Sequence, residues 1–166
     1  KRMLAYSSVE HMGILALGIG VGGVAVPGAM LHAVCHSLTK CMLFLLSGNI
    51  LARYHTYSSY DVHGMRWTMP ATAALWTAGF LAVAGSPPFG LFVSELLIFK
   101  GMLAADLPWL SAGYLVLLAI IFVGLSVSVL RMVQGNRPVD LPPANSEPVL
   151  SVLPPLVLGL TVLTLG

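Results

Sequence analysis

Six apolar stretches limit what this 166-residue chain can fold into. They run from Met3 to about Val21, Val26 to Leu51, Thr68 to Ala84, Leu91 to about Ala104, Trp109 to Met132, and from Val149 onward. A helix needs about 20 such residues to cross roughly 30 Å of hydrocarbon. Backbone N–H and C=O groups in lipid must pair within their own segment, so every span is expected to be helical. The connecting pieces "GGVAVPG", "ARYHTYSSYDVHGMR", "GSPPFG", "ADLP" and "QGNRPVDLPPANSEP" carry the Gly, Pro, Asn and Asp of turns and breakers. The expected fold is therefore all-α, a polytopic transmembrane helix bundle of about five to six membrane helices. Composition agrees, since only 8% of residues are charged and 57% are hydrophobic, against about 25% charged in a soluble domain.

The third and fourth stretches are each short for a crossing, and "GSPPFG" lies between them. They are either two compact helices joined by a tight turn, or parts of one helix interrupted within the membrane near residues 85–90. The positive-inside rule puts Lys1 and Arg2 on the cytoplasmic side and returns Arg53 and Arg66 to it after two crossings. Two further full crossings would then leave Arg131 and Arg137 on the wrong side. Cys35 and Cys41 fall on different faces of one helix, which excludes a local disulfide. The opening "KRMLAYSSVEHMG" lacks a signal-peptide core. A net charge of +2, dispersed along the chain, does not point to nucleic acid. The chain starts at Lys1 and stops at Gly166 within an apolar run, so it is read as a fragment of a longer polypeptide.

Within the second stretch, "HAVCHSLTK" sets His32, His36 and Lys40 four residues apart. At that spacing they drift by about 40° and climb about 6 Å per step, forming one polar seam. A lysine at mid-membrane costs roughly 2.5–3.5 kcal/mol on insertion scales. Steps of this length exceed a direct hydrogen bond but admit a water, so the seam suits proton transfer. Histidine, which titrates near neutral pH, is a natural relay. Other readings stay open. Lys40 could snorkel to the headgroups, though apolar or small residues follow it up to Leu51. The histidine pair also has a metal-ligand spacing, but Cys35 does not share the seam and further ligands are needed. Haem ligation by His11 with His32 or His36 is a third possibility. "GIGVGG" follows no strand and reads as helix packing and turn, not a phosphate loop.

Three quoted segments, "LAYSSVEHMG", "LHAVCHSLTKCMLFLLSGNI" and "AGSPPFGLFVSELLIFKG", resemble in order the proton-translocating antiporter-like subunits of respiratory complex I. That family is shared with multisubunit cation/proton antiporters and membrane-bound hydrogenases. "SPPFGLFVSE" and the Glu10–His11 pair look most like the component F subunit of hydrogenase-4-like, formate-hydrogenlyase-type complexes. The resemblance implies that Lys40 is the channel lysine, that His32 and His36 are the histidines upstream of it, and that Glu95 is the terminal ionisable residue after an interrupted helix. It also places a basic residue of the "AYSS" helix at Lys1 or Arg2 and a polar position at His11. Glu10 departs from the small polar residue commoner there. Glu95 could instead partner a lysine in another part of the protein.

Family members hold two inverted repeats, each with an interrupted helix, and residues 1–166 correspond to one transmembrane region, mainly the second repeat and the start of the C-terminal helices. The resemblance implies partner membrane and peripheral subunits that carry the electron chemistry, so the chain is expected to hold no cofactor and no metal. The function expected is proton translocation within a redox-driven complex of complex I or membrane-hydrogenase type, in a bacterial or archaeal inner membrane. The alternatives are a sodium/proton antiporter subunit and a structural membrane anchor. Sodium sites prefer several oxygens, whereas this seam offers imidazoles and an amine.

Overall fold

The computed structural model describes residues 2–136 and 147–166, and every regular element among them is helical. Helix α1 spans Arg2–Val21, α2 Ala25–Tyr54, α3 Met65–Thr68, α4 Pro70–Val83, α5 Gly90–Ala104, α6 Pro108–Val133 and α7 Val149–Thr164. Gly22 and Gly23 turn α1 into α2 with φ of 77° and 51°, a region that glycine enters without a side-chain penalty. Pro70 and Pro108 open α4 and α6, where a missing N–H leaves no helical bond unmade. Three helices, α1 from Met3, α2 and α6, are long and apolar enough to cross a membrane.

Contacts along α2 decide between the two readings of the "GSPPFG" segment. Tyr54 Oη and Thr68 Oγ1 are 2.8 Å apart at the end of α2. Gly79 abuts Leu43, Gly90 abuts Cys35, Gly28 abuts Ser94 and Leu97, and Gly101 abuts Ala25. From Thr68 to Gly101 the chain therefore runs antiparallel to α2 along its whole length. Helices α4 and α5, of 14 and 15 residues, are two halves of one interrupted crossing beside the 30-residue α2. Between them Gly85 takes φ 62°, and the Pro87–Pro88 bond is cis. Counted as one crossing, α4 and α5 remove the conflict that two crossings create for Arg131. Its guanidinium stacks 5.3 Å above the Tyr60 ring, and Gly64 N–H donates to the Gln134 carbonyl at 2.9 Å. Arg53, Arg66 and Arg131 thus share one end of the bundle. Lys1 and Arg137 lie outside the described residues, as does the side chain of Arg2.

The sequence puts Glu147 in a polar loop, but the fold gives it a structural task. Its carboxylate accepts from Ala71 N–H at 2.7 Å, Thr72 N–H at 3.0 Å and the Thr72 hydroxyl at 2.5 Å. An anion at the first turn of α4 satisfies donors that have no helical partner and faces the positive end of the helix dipole. Asn49 Nδ2 then donates to the Ser151 carbonyl at 2.8 Å, tying α7 to α2. The end of α7 closes on the interruption, with Leu165 against Gly90.

Two apolar clusters hold the bundle. One gathers Met42, Leu43, Leu46, Met65, Trp76, Phe80 and neighbours around the second half of α2. The other joins Ile14, Ile98, Met102 and Tyr114 from α1, α5 and α6. A Cβ at Gly101 would lie 2.7 Å from Ala25 N and 2.9 Å from its Cα, backbone that cannot move aside cheaply. Gly101→Ala in the full-length protein is therefore expected to lose about 1–3 kcal/mol, as overpacked helices separate. Gly113→Ala, where an added Cβ meets nothing within 4 Å inside α6, should not lower stability and should raise it by about 0.5–1 kcal/mol. Thermal unfolding in detergent compares the two.

Candidate functional site

Helix α1 buries Leu4, Ser7, His11, Ile14 and Gly18, a repeat of three and four residues that turns one stripe toward α2. Helix α2 answers with His32, Cys35, His36, Thr39 and Lys40, all buried. The polar residues form a band between the two apolar clusters. The apolar sequence around them makes both helices, and helical spacing alone brings three ionisable groups of α2 onto the α1 side. Snorkelling of Lys40 to the headgroups is not what the fold shows, since its side chain turns inward and Nζ donates to the Leu4 carbonyl at 2.8 Å.

His11 enters the seam between the two histidines of α2. Its ring lies 4.4 Å from that of His36 and 5.1 Å from that of His32, while His32 and His36 are 6.2 Å apart. His11 Nδ1 and His32 Nε2 are in hydrogen-bond contact at 3.0 Å. His32 Nδ1 contacts Ser94 Oγ on α5 at 2.9 Å, and the Ser94 hydroxyl donates to the Leu91 carbonyl at 2.6 Å. Glu95, 6% exposed, brings a carboxylate oxygen within 4.8 Å of ligating nitrogens of His11 and His32. Its carboxylate packs on Gly85 in the interruption, where a side chain would collide with it. Glu10 is half-buried and close enough to Lys40 and Glu95 for their charges to interact.

Every residue singled out in the sequence for the proton path, namely Lys40, His36, His32, Glu95, His11 and Glu10, therefore meets in one region. Sequence spacing suggested water steps from His32 to His36; the fold sets His11 beside both. Three participants have weaker signatures. Ser94 is marked only by standing next to Glu95, Gly85 only by preceding two prolines, and the Leu4 carbonyl has no side-chain signal at all. Ser7 Oγ and His36 Nδ1 have no hydrogen-bond partner among the described residues. His11 Nε2 also lacks one with good geometry, although the Val83 carbonyl at the end of α4 lies near its ring. Buried polar atoms of this kind are suited to bridging water.

The band can do two kinds of chemistry. Neutral imidazole accepts a proton on one nitrogen and releases one from the other, so adjoining rings can hand protons between an amine and a carboxylate. His11, His32 and Glu95 are also the one group among the described residues with the types and spacing to hold a metal ion. Two nitrogens and one oxygen would leave a zinc position open to water.

Gly85→Ala is expected to abolish or strongly reduce activity in the assembled protein, because the added methyl occupies the place of the Glu95 carboxylate and strains a positive φ. Thermal unfolding of the full-length protein in detergent, which should fall for Gly85→Ala but not for Gly113→Ala, gives a first measure of this clash.

Comparison with known proteins agrees with the geometry. The family described as "NADH:quinone oxidoreductase/Mrp antiporter, TM" matches residues 1–122. The chain is 36% identical over 157 residues to the hydrogenase-4 component F homolog of Methylacidiphilum infernorum, covering 94% of this chain and 32% of that protein. It is 43% identical over 107 residues to an NAD(P)H-quinone oxidoreductase chain 4 of Thermosynechococcus vestitus, covering 64% of this chain and 20% of that one. Among solved structures, the archaeal membrane-bound sulfane sulfur reductase, described as a respiratory membrane complex, superposes with a TM-score of 0.87 at 31% identity over 98% of this chain and 27% of that chain. The Mrp complex from Dietzia sp. superposes equally, with a TM-score of 0.87 over 98% of this chain and 38% of that chain. Its 21% identity speaks to fold alone. The chain thus spans between 20% and 38% of the length of these four proteins.

Proposed function

Because the chain belongs to the NADH:quinone oxidoreductase/Mrp antiporter transmembrane family, we propose that it is the part of a proton-translocating subunit in which Lys40, His36, His11, His32 and Glu95 carry protons. The observation that carries this reading is the run of three buried imidazoles between a buried lysine and a buried glutamate. On this reading Lys40 loads and releases protons, the histidines pass them, and Glu95 receives them at the interruption between α4 and α5. Glu10, half-buried beside Lys40, is the counter-charge that shares its load.

The whole protein is proposed to work as a membrane subunit of a redox-driven complex of complex I or membrane-hydrogenase type. Partner subunits would hold the redox centres, and the coverage of relatives supports reading the chain as one transmembrane region of a longer subunit. The shared end of Arg53, Arg66 and Arg131 supports a cytoplasmic position for that end, in a bacterial or archaeal inner membrane. A sodium/proton antiporter remains the competing activity. The nitrogen-rich site favours protons over sodium.

Lys40→Ala in the full-length protein is expected to abolish or strongly reduce proton translocation while the complex still assembles. Lys40→Arg should rescue poorly, since guanidinium does not release its proton in proteins. Glu95→Gln should impair flux far more than Asp106→Asn, a substitution in the exposed turn between α5 and α6. Proton uptake into vesicles, with and without sodium, reads all three. Normal pumping by Lys40→Ala sinks the proposal, and sodium-dependent uptake would favour the antiporter.

A second measurement separates relay from metal centre. Elemental analysis of the purified full-length subunit is expected to return substoichiometric zinc and iron. One tightly held metal per chain, lost in both His11→Ala and His32→Ala, would turn the histidines into ligands.

A further inference from the structure

Ser94 lies outside the set of ionisable groups, yet it is fully buried and holds one end of the histidine chain. A serine hydroxyl has one proton and can donate it once. That proton goes to the Leu91 carbonyl, which can only accept, at 2.6 Å. The contact of 2.9 Å between Ser94 Oγ and His32 Nδ1 must then be donated by the imidazole. A neutral ring has one N–H, so with Nδ1 protonated its Nε2 is bare. The 3.0 Å contact between that Nε2 and His11 Nδ1 requires in turn that His11 donate from Nδ1. One carbonyl on α5 therefore sets the direction of every hydrogen bond back to α1.

We propose that Ser94 is a positioning residue that fixes His32 as its Nδ1–H tautomer, so that His32 takes up and gives back protons only through Nε2. This rests on the relay reading above. The Nδ1 side is closed because the Ser94 hydroxyl is already committed to Leu91 and has no proton to pass onward. A proton taken up first at His11 Nε2 makes that ring a cation, which then passes its Nδ1 proton to His32 Nε2; His11 is left neutral with its proton on Nε2, and His32 becomes the cation with both nitrogens protonated. It can lose only the Nε2 proton. The acceptor in contact with that nitrogen is His11, and the Glu95 carboxylate, which lies within 4.8 Å of a nitrogen of the His32 ring, is the group proposed to take the proton forward. Ser94 thereby steers the proton toward the residue next to it in sequence and prevents a leak along α5.

Without Ser94 the ring can adopt the Nε2–H form, which faces the His11 Nδ1–H with a second donor and breaks the chain. Histidine labelled with ¹⁵N in the full-length protein in bilayers reports the tautomer directly, since an N–H nitrogen and a bare ring nitrogen have distinct shifts. The His32 signals are identified by their loss in His32→Gln. The wild type should show a protonated Nδ1 and a bare Nε2. Ser94→Ala should lose that pattern and about three- to tenfold of the proton flux, the scale of one neutral hydrogen bond. Ser94→Thr, which keeps the hydroxyl, should retain both. His32 found as the Nε2–H tautomer in the wild type, or unchanged in Ser94→Ala, overturns the proposal whatever the flux. The expected tautomer change accompanied by unchanged flux leaves Ser94 as the clamp but removes the relay reading beneath it, and with it the steering role.

Discussion

A helix interrupted in a membrane leaves backbone groups without their helical partners, and lipid cannot supply replacements. The arrangement here depends on meeting that requirement. The interruption at residues 84–89 meets it with local turns, in which Ala84, Gly85, Ser86 and Phe89 N–H donate to the carbonyls of Phe80, Ala82, Leu81 and Ser86, while the exposed Pro87 and Pro88 have no N–H to pair. Close approach is possible because Gly28, Gly79, Gly90 and Gly101 present no side chain to their neighbours. Small residues at a helix contact are how membrane helices gain packing where no hydrophobic drive is available. The same approach delivers Ser94 and Glu95 to the histidines of α2. A polar region tolerable in the membrane and the site proposed for proton chemistry thus have one cause.

Much of this was legible in the sequence. Apolar runs of membrane-spanning length located α1, α2 and α6 to within a few residues, because a helix of that length in lipid must be predominantly apolar even where it carries a few polar side chains. The four-residue spacing of His32, His36 and Lys40 identified their common side of α2, since helical geometry is local. What the sequence left open was relational. Whether α4 and α5 make one crossing or two depends on how they lie beside α2, which no local pattern encodes. The resulting count also decides where Arg131 emerges.

Other roles were hidden for the same reason. Glu147 reads as a loop carboxylate because its partners, the first amides of α4, lie 75 and 76 residues away in sequence. Ser94 reads as a small polar residue in an apolar helix, and only the neighbouring His32 ring reveals its use. His11 could be singled out by its place in the "SSVEHMG" segment, but its position between two rings of another helix could not.

The partner chosen for Lys40 bears on how such a band can move charge. A lysine buried against a single carboxylate is held by an attraction that low polarity strengthens, and releasing its proton then leaves the anion unpaired. Lys40 instead donates to the Leu4 carbonyl, a neutral dipole that also accepts from Ser8 Oγ at 3.2 Å. This contact favours the ammonium in position without requiring a permanent charge beside it. Glu10, half-buried on α1, is close enough for its charge to act on Lys40, but it is not the group that accepts the ammonium hydrogen bond. On the proposed relay, a proton leaving Lys40 departs from an amine held by a carbonyl dipole rather than by an ion pair, and the neutral amine that remains still has Leu4 as an acceptor.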